Sequence, residues 1–261
     1  MENNLSNYKK ITLEILKYFD QICRKNDIKY SLYYGTLLGA IRHGGYIPWD
    51  DDIDVVMTYK EYNKLKSVVS ANKNDRYEFL FPEDNSMIVN MCKLYDRNTT
   101  MKEKFMKHNS SLFIDIFIYY DFNPQKMNSK IIKKIKLFNK MLMFKNDLYS
   151  IKEFNMKYKL IAFASKFISK KSLISYIRKF QKTDYVDNVI DSSFFEKSIL
   201  DVNYINSYIE CEFEDLNAMI FKDFDIVLRK LYGDYMKLPP ENERVLQHIS
   251  TYDLNSPYYK K

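Results

Sequence analysis

The sequence predicts a mixed α/β (α+β) fold: a mixed sheet flanked by helices, with a basic helical insert. Three observations carry this. Helix-like and strand-like patterns alternate through the first 120 of the 261 residues, as a mixed sheet demands. Hydrophobic residues make up 46% of the chain and aromatics 16%, which is a folded composition and not a disordered one. From Lys126 onward the composition changes abruptly to apolar residues at helical spacing set among lysines. The length suits one full core, or one domain carrying an insert.

Residues 6–25 predict a helix, because Ile11, Ile15, Phe19, Ile22 and Cys23 share one face and Asn26-Asp27 ends the pattern. Ile28 to Tyr34 reads as a strand leading into a turn at Gly35-Thr36. That turn opens a short apolar helix through Leu37, Leu38, Ala40 and Ile41. Ile53 to Thr58 is a second strand, and Tyr59 to Ala71 an amphipathic helix. Met87 to Tyr95 and Leu112 to Tyr120 are strand-like, the latter alternating through Phe113, Asp115, Phe117 and Tyr119. Further on, Tyr208 to Phe213 predicts a strand. It carries Glu210 and Glu212, with Glu214 just beyond, on one face, either as solvent-facing charges or as outer partners of a site. Phe221 to Leu231 predicts a helix stopped by Gly233 and the Pro239-Pro240 pair.

The chain carries a net charge of +7, yet sixteen Lys and Arg stand against two acids, Asp147 and Glu153, between Lys126 and Lys182. The rest of the chain is therefore net acidic. Ile131, Ile135, Phe138 and Leu142 in one stretch, and Leu160, Phe163 and Phe167 in another, recur at helical spacing. Such basic amphipathic helices fit a helical subdomain with a solvated lysine face, or a surface lying on an anionic membrane leaflet. Nucleic acid is the third option, and a single arginine (Arg178) without any nucleic-acid motif argues against it.

No apolar run follows Met1, so no signal peptide is expected. No uncharged apolar stretch reaches the ~18 residues that a spanning helix needs. Cys23, Cys92 and Cys211 are far apart among apolar residues, and read as reduced structural thiols without zinc-ligand spacing. A cytoplasmic protein, peripheral on the inner face of the cell membrane, is the expectation.

The segment from Tyr33 to Met57 carries the chemistry. Asp50, Asp51, Asp52 and Asp54 crowd into five positions. Like charges so close repel, and a hard divalent cation with oxygen ligands compensates them. On an extended strand Asp50, Asp52 and Asp54 would point one way, Asp51 and Ile53 the other. Gly35-Thr36, at a helix N-terminus, offers N–H groups and a hydroxyl to a phosphate. Together these outline a nucleotidyl- or phosphoryl-transfer site. The alternative is a solvated acidic loop; Trp49 before the cluster and Val55-Val56-Met57 after it argue for a buried strand edge instead. Asp115 sits in an otherwise apolar run and needs a partner. That partner is Lys93 or Arg97 on a neighbouring strand, or a metal.

This block resembles the LicD family of phosphotransferases, which includes the fukutin-type proteins. The motif stands here as Gly35-Thr36-Leu37-Leu38-Gly39, then Arg42, then Ile47-Pro48-Trp49-Asp50-Asp51-Asp52-Ile53-Asp54. Tyr232 to Pro240 is similar to the family's closing motif. Cys92 to Asp96 and Phe113 to Phe117 are similar to its central strands. The resemblance spans roughly residues 8–125 and 205–248.

The resemblance implies a nucleotidyltransferase-like fold: a catalytic core over 1–125, a basic insert over 126–183, and a part over 184–261 completing the core. It implies transfer of a phospho-alcohol, phosphocholine first, from CDP-choline or a related CDP-alcohol. The acceptor would be a hydroxyl of a cell-surface glycan (teichoic acid or lipopolysaccharide) or of a lipid-linked precursor. On this reading Asp52 and Asp54 hold Mg²⁺ or Mn²⁺, Asp115 completes the set, and Asp50 lies in or near it. Gly35 and Thr36 hold a phosphate, and Arg42 and Lys93 take the leaving CMP phosphate. Arg244, one helical turn from His248, either caps or closes over the nucleotide. Asp115, Asp50 or His43 takes the acceptor proton. Trp49, Tyr34 and Tyr119 are candidates for the choline head group, although 23 tyrosines make nearness in sequence a weak guide. A glycosyltransferase using a nucleotide-sugar, a nucleotidyltransferase releasing pyrophosphate, and a catalytically silent membrane-docking module are the alternatives.

Overall fold

The computed structural model describes residues 2–72, 74–82, 91–104, 106–145, 150, 154–180, 187–246 and 249–257. The first part of the chain builds α1 (Glu2–Lys25), β1 (Ser31–Leu32), α2 (Tyr34–His43), β2 (Asp54–Thr58), α3 (Tyr59–Ala71), β3 (Tyr77–Leu80), β4 (Cys92–Glu103) and β5 (Ser110–Asp121). Three helices follow: α4 (Ser129–Lys145), α5 (Met156–Ser165) and α6 (Lys170–Arg178). The chain then returns to the sheet with β6 (Asn188–Asp191) and β7 (Leu200–Asp201), adds the hairpin β8 (Tyr208–Phe213) and β9 (Leu216–Phe221), and ends with α7 (Phe224–Tyr232) and β10 (Ile249–Asp253).

The main sheet runs β1-β2-β5-β4-β10, with β3 also on β4 and β6 also on β5. The long strands β4 and β5 take different neighbours along their length, so the sheet curls around its own centre. The pair that positions the candidate site is β2 and β5. They are parallel, and Asp54 stands opposite Asp115. Parallel neighbours need a long crossover, which α3, β3 and β4 supply.

The apolar run of β5 is buried on both faces, with Ile114, Ile116 and Ile118 inside. Helix α1 lays Ile15, Leu16, Phe19 and Cys23 against this core. Helix α2 ends at Gly44, whose φ of 70° lets its N–H close on the Ala40 carbonyl and the Gly45 N–H on the Gly39 carbonyl. Helix α3 starts at Thr58, whose hydroxyl accepts from the Glu61 N–H. The helices α4 and α6 share a second core with β6 through Ile135, Leu142, Leu173, Ile177 and Ile190.

Several elements differ from the sequence expectation. The strand expected over 28–34 narrows to Ser31–Leu32, because it pairs with β2 only at Val55 and Val56 before α2 begins. The strand expected over 87–95 begins at Cys92 and runs on to Glu103; residues 87–90 lie outside the described part. The helix expected from Phe221 starts three residues later, because Phe221 is still paired with Tyr208 in the hairpin. Arg244 closes a 3₁₀ turn that leads toward a strand, not a helix, and His248 lies outside the described residues. No helix among the described residues is long and apolar enough to cross a membrane.

Candidate active site

The acidic loop between α2 and β2 is held from behind by α1. The Tyr8 hydroxyl donates to the Asp51 carbonyl at 3.0 Å. Lys9 Nζ donates to the Ile47 and Pro48 carbonyls at 3.0 and 3.2 Å. Thr12 and Tyr46 join hydroxyls at 2.7 Å. So fixed, the loop forms one wall of a cleft of about 640 Å³. Asp50, Asp52 and Asp54 line it, whereas Asp51 and Ile53 are buried away from it. The alternation expected of a strand holds, although the regular strand starts only at Asp54.

Gly35 faces the same cleft. A methyl group on its Cα would collide with Asp50 Oδ2, so the absent side chain is what lets Asp50 lie against the start of α2. Thr36 is buried, and its hydroxyl accepts from the Asp54 N–H at 2.8 Å. It ties the helix start to the strand start and does not line the cleft.

The electrostatics of the wall are one-sided. Burial pushes the Asp54 carboxyl well above the usual range, and Asp52, Asp115 and Asp50 push it the same way, with Lys93 opposing. The Tyr232 phenol across the cleft is raised too, by its low-dielectric surroundings and then by Asp54, Asp50 and Asp52. One oxygen from each of Asp50, Asp51 and Asp52 falls within 4.8 Å of the others. Asp115 Oδ1 is ion-paired with Lys93 Nζ at 2.8 Å, and this buried atom finds no further partner among the described residues. An all-oxygen, over-negative group with an under-satisfied carboxylate beside it fits a hard divalent cation.

The structure separates the other residues singled out by sequence. Lys93 is partly buried, ion-paired with Asp115 and poised over the Phe113 ring at 3.3 Å; it does not line the cleft. Burial alone would lower its ammonium, but Asp115 and Glu103 more than offset that and raise it. Arg42 lines the cleft and donates through Nη1 to the Tyr235 and Lys237 carbonyls at 2.8 and 3.4 Å, which clamps the closing motif against α2. Arg244 lies over the Trp49 ring at 5.3 Å. His43 is exposed. Trp49 and Tyr34 line the cleft; Tyr119 is wholly buried and does not. Glu210 pairs with Arg24 at 2.8 Å and Glu214 accepts from the Tyr46 N–H at 2.9 Å, so both serve structure, while Glu212 faces solvent.

Two groups escaped the sequence reading. The first is the facing wall, with Tyr232, Asp234, Tyr235 and Glu243. Its closing motif was visible, but not that these side chains meet the acids. The second is Asp191, fully buried at the end of β6. Its Oδ2 accepts from the Tyr33 and Tyr34 hydroxyls at 3.0 and 2.5 Å, and its Oδ1 from the Ser193 N–H and hydroxyl at 3.0 and 2.6 Å. Tyr119 donates to Tyr33 at 3.0 Å. Burial first, and then Asp191, raise all three phenols, which therefore stay protonated donors. Tyr34 has φ +42°, an unfavourable value for a tyrosine. The bond to Asp191 anchors it there, at the cleft.

The chain is similar to known proteins of one family. The family described as LicD/FKTN/FKRP, nucleotidyltransferase domain, matches residues 27–158. The lipopolysaccharide cholinephosphotransferase LicD of Haemophilus influenzae is 34% identical over 251 residues, covering 92% of this chain and 94% of that protein. The ribitol 5-phosphate transferase FKRP of mouse is 25% identical over 116 residues, which is 38% of this chain and 24% of the relative. The human FKRP gives the same identity over the same length and 23% of its own chain.

Proposed function

The chain belongs to the LicD family, and on that premise we propose that it moves a phospho-alcohol group, phosphocholine first, from a CDP-linked donor to a hydroxyl of a cell-surface glycan or of its lipid-linked precursor. The observation that carries this is the row of Asp50, Asp52 and Asp54 along the cleft, with Asp115 in register beside Asp54. Residues 1–125 and 184–261 act as one catalytic unit, and 126–183 as its insert. The work takes place in the cytoplasm, against the membrane that carries the acceptor.

The acceptor oxygen attacks the phosphorus bearing the alcohol. The bond from that phosphorus to the bridging oxygen breaks, and CMP leaves with the bridging oxygen. The acceptor proton passes to Asp50, because Asp115 is engaged by Lys93. Asp52 and Asp54, with Asp115 beside them, would hold magnesium or manganese, which would supply neutralisation of the diphosphate charge. Lys93 keeps Asp115 aimed through their ion pair. Gly35 presents its N–H at the start of α2 to a phosphate, and Thr36 fixes that start against Asp54. Arg42 meets the CMP phosphate while holding the closing motif. Tyr34, Trp49, Tyr232 and Tyr235 give the cleft an aromatic lining that suits a quaternary ammonium, and Arg244 steadies Trp49.

The test offers CDP-choline, CDP-ethanolamine, CDP-glycerol, CDP-ribitol and UDP-sugars with Mg²⁺ and follows CMP, UDP and pyrophosphate. We expect CMP from CDP-choline, abolished by EDTA and by Asp52→Asn or Asp54→Asn. Release of UDP or pyrophosphate instead overturns the reaction. Equal turnover by the two variants overturns the site.

A further inference from the structure

We propose that α5 is a membrane-docking helix that seats Met156, Leu160, Phe163 and Phe167 in the interfacial layer of an anionic phospholipid leaflet. These four side chains are 70%, 62%, 59% and 76% exposed. Their spacing of four, three and four residues puts them within an arc of about 60° on a helix of 3.6 residues per turn. Phe167 follows the last helical turn without a break, its N–H closing on the Ala164 carbonyl at 3.2 Å. The Phe163 and Phe167 rings meet edge to face at 5.3 Å. The opposite side of the helix is the buried one, where Ala162 and Ser165 lie inside. A helix that packs through its small residues and leaves its largest apolar ones in water has its main apolar face unpartnered.

The charge around the stripe identifies the occupant. Lys157 on one side and Lys159 and Lys166 on the other are exposed and flank it. The only acids between Lys126 and Lys182 are Asp147 and Glu153, both outside the described residues. Large apolar tips between rows of lysine match a lipid interface with negative headgroups. A second copy docking through the same face would set lysine against lysine. Phosphates of a nucleic acid would meet the lysines but leave the apolar tips in water. The inference stands apart from the chemistry in the cleft; it adds a seat from which a lipid-carried acceptor is within the enzyme's plane.

The full chain is sedimented with vesicles of phosphatidylglycerol and phosphatidylethanolamine, and with phosphatidylcholine alone. We expect binding to the anionic vesicles that weakens in high salt, with little binding to the neutral ones. Phe163→Ser combined with Phe167→Ser lowers the affinity about tenfold or more, and Lys157→Glu with Lys166→Glu lowers it severalfold. Both pairs are exposed, and circular dichroism checks that the fold is kept. CMP release from a soluble donor and acceptor stays at the wild-type level in both. Failure of the wild type to bind anionic vesicles, or unchanged binding by the phenylalanine pair, overturns the proposal. So does a wild-type dimer that the phenylalanine pair turns into monomers in analytical ultracentrifugation. Vesicle binding without CMP release sinks the transferase reading alone, and CMP release without vesicle binding sinks this one alone.

Discussion

In the sheet region, charge is taken inside. Asp54, Asp191 and the Lys93–Asp115 pair lie among the strands, and the apolar side chains around them are sealed from water. In the helical region the order is reversed. The lysines of α4 to α6 stay at or near the surface, and on α5 it is the largest apolar side chains that are left in solvent. The contrast separates two uses of an unfavourable placement. A buried carboxylate asks for a counter-charge or a donor, so where the chain does not supply enough of either it marks a candidate place for a small ligand. An exposed phenylalanine asks for an apolar phase, so it marks a place where a large surface is met.

The largest test of this contrast is Asp54→Asn. It is expected to lower kcat/KM about a thousandfold, or roughly 4 kcal/mol of transition-state stabilisation. Stability in EDTA should hold or rise, because the repulsion from Asp52, Asp115 and Asp50 is removed. The sign follows from proton binding. A carboxyl raised in the folded state makes the native chain hold more protons than the unfolded one, so metal-free stability falls as pH climbs from the ordinary carboxylate range toward the raised value. Asp54→Asn flattens that slope. A steeper or unchanged slope in thermal melts would break the view of Asp54 as a strained charge.

Ile116→Ala, in the buried strand β5, is expected to cost roughly 3 kcal/mol in urea unfolding. Asp191→Ala should cost about 2 kcal/mol, because it strands the Tyr33, Tyr34 and Ser193 hydroxyls. It should also raise the donor KM, since Tyr34 loses its anchor at the cleft. An unchanged KM would make Asp191 a packing residue only. The smallest effect belongs to Phe163→Ala, expected to change stability by no more than about 0.5 kcal/mol despite removing a whole ring. A loss comparable to that of Ile116→Ala would mean that α5 is covered within the folded chain.

The sequence made local features legible and long-range ones not. The run Asp54 to Thr58, the helix α3 with its Thr58 cap, and the apolar run of β5 were readable because period and capping are local signals. The acids could be seen to alternate, and Asp115 could be seen to need a partner. What stayed hidden depends on pairing across distance. The strands β6 and β7 are short, and they are strands only because β6 lies beside the end of β5 across the whole helical segment. Asp191 looked like one more aspartate before two serines; its meaning arises when Tyr33, Tyr34 and Ser193 converge on it. Lys93 reads from sequence both as a phosphate ligand and as a partner for Asp115, and only the ladder, which sets it opposite Asp115, shows that the two pair. The spacing of Leu160, Phe163 and Phe167 announced a helix face but not which way that face looks.

The parallel register of β2 and β5 has a consequence for how the protein comes into being. Asp54 and Asp115 are about sixty residues apart in the chain, and only the completed crossover brings them opposite each other. A half-formed chain holds the loop acids but not their partner from β5, so the proposed divalent-ion site is incomplete in it. Closing the sheet also means driving one negative group up against others, an uphill act on a non-local and therefore slow contact. Divalent ions present during refolding should speed the arrival of the native state, and chelated preparations should linger as compact, inactive intermediates.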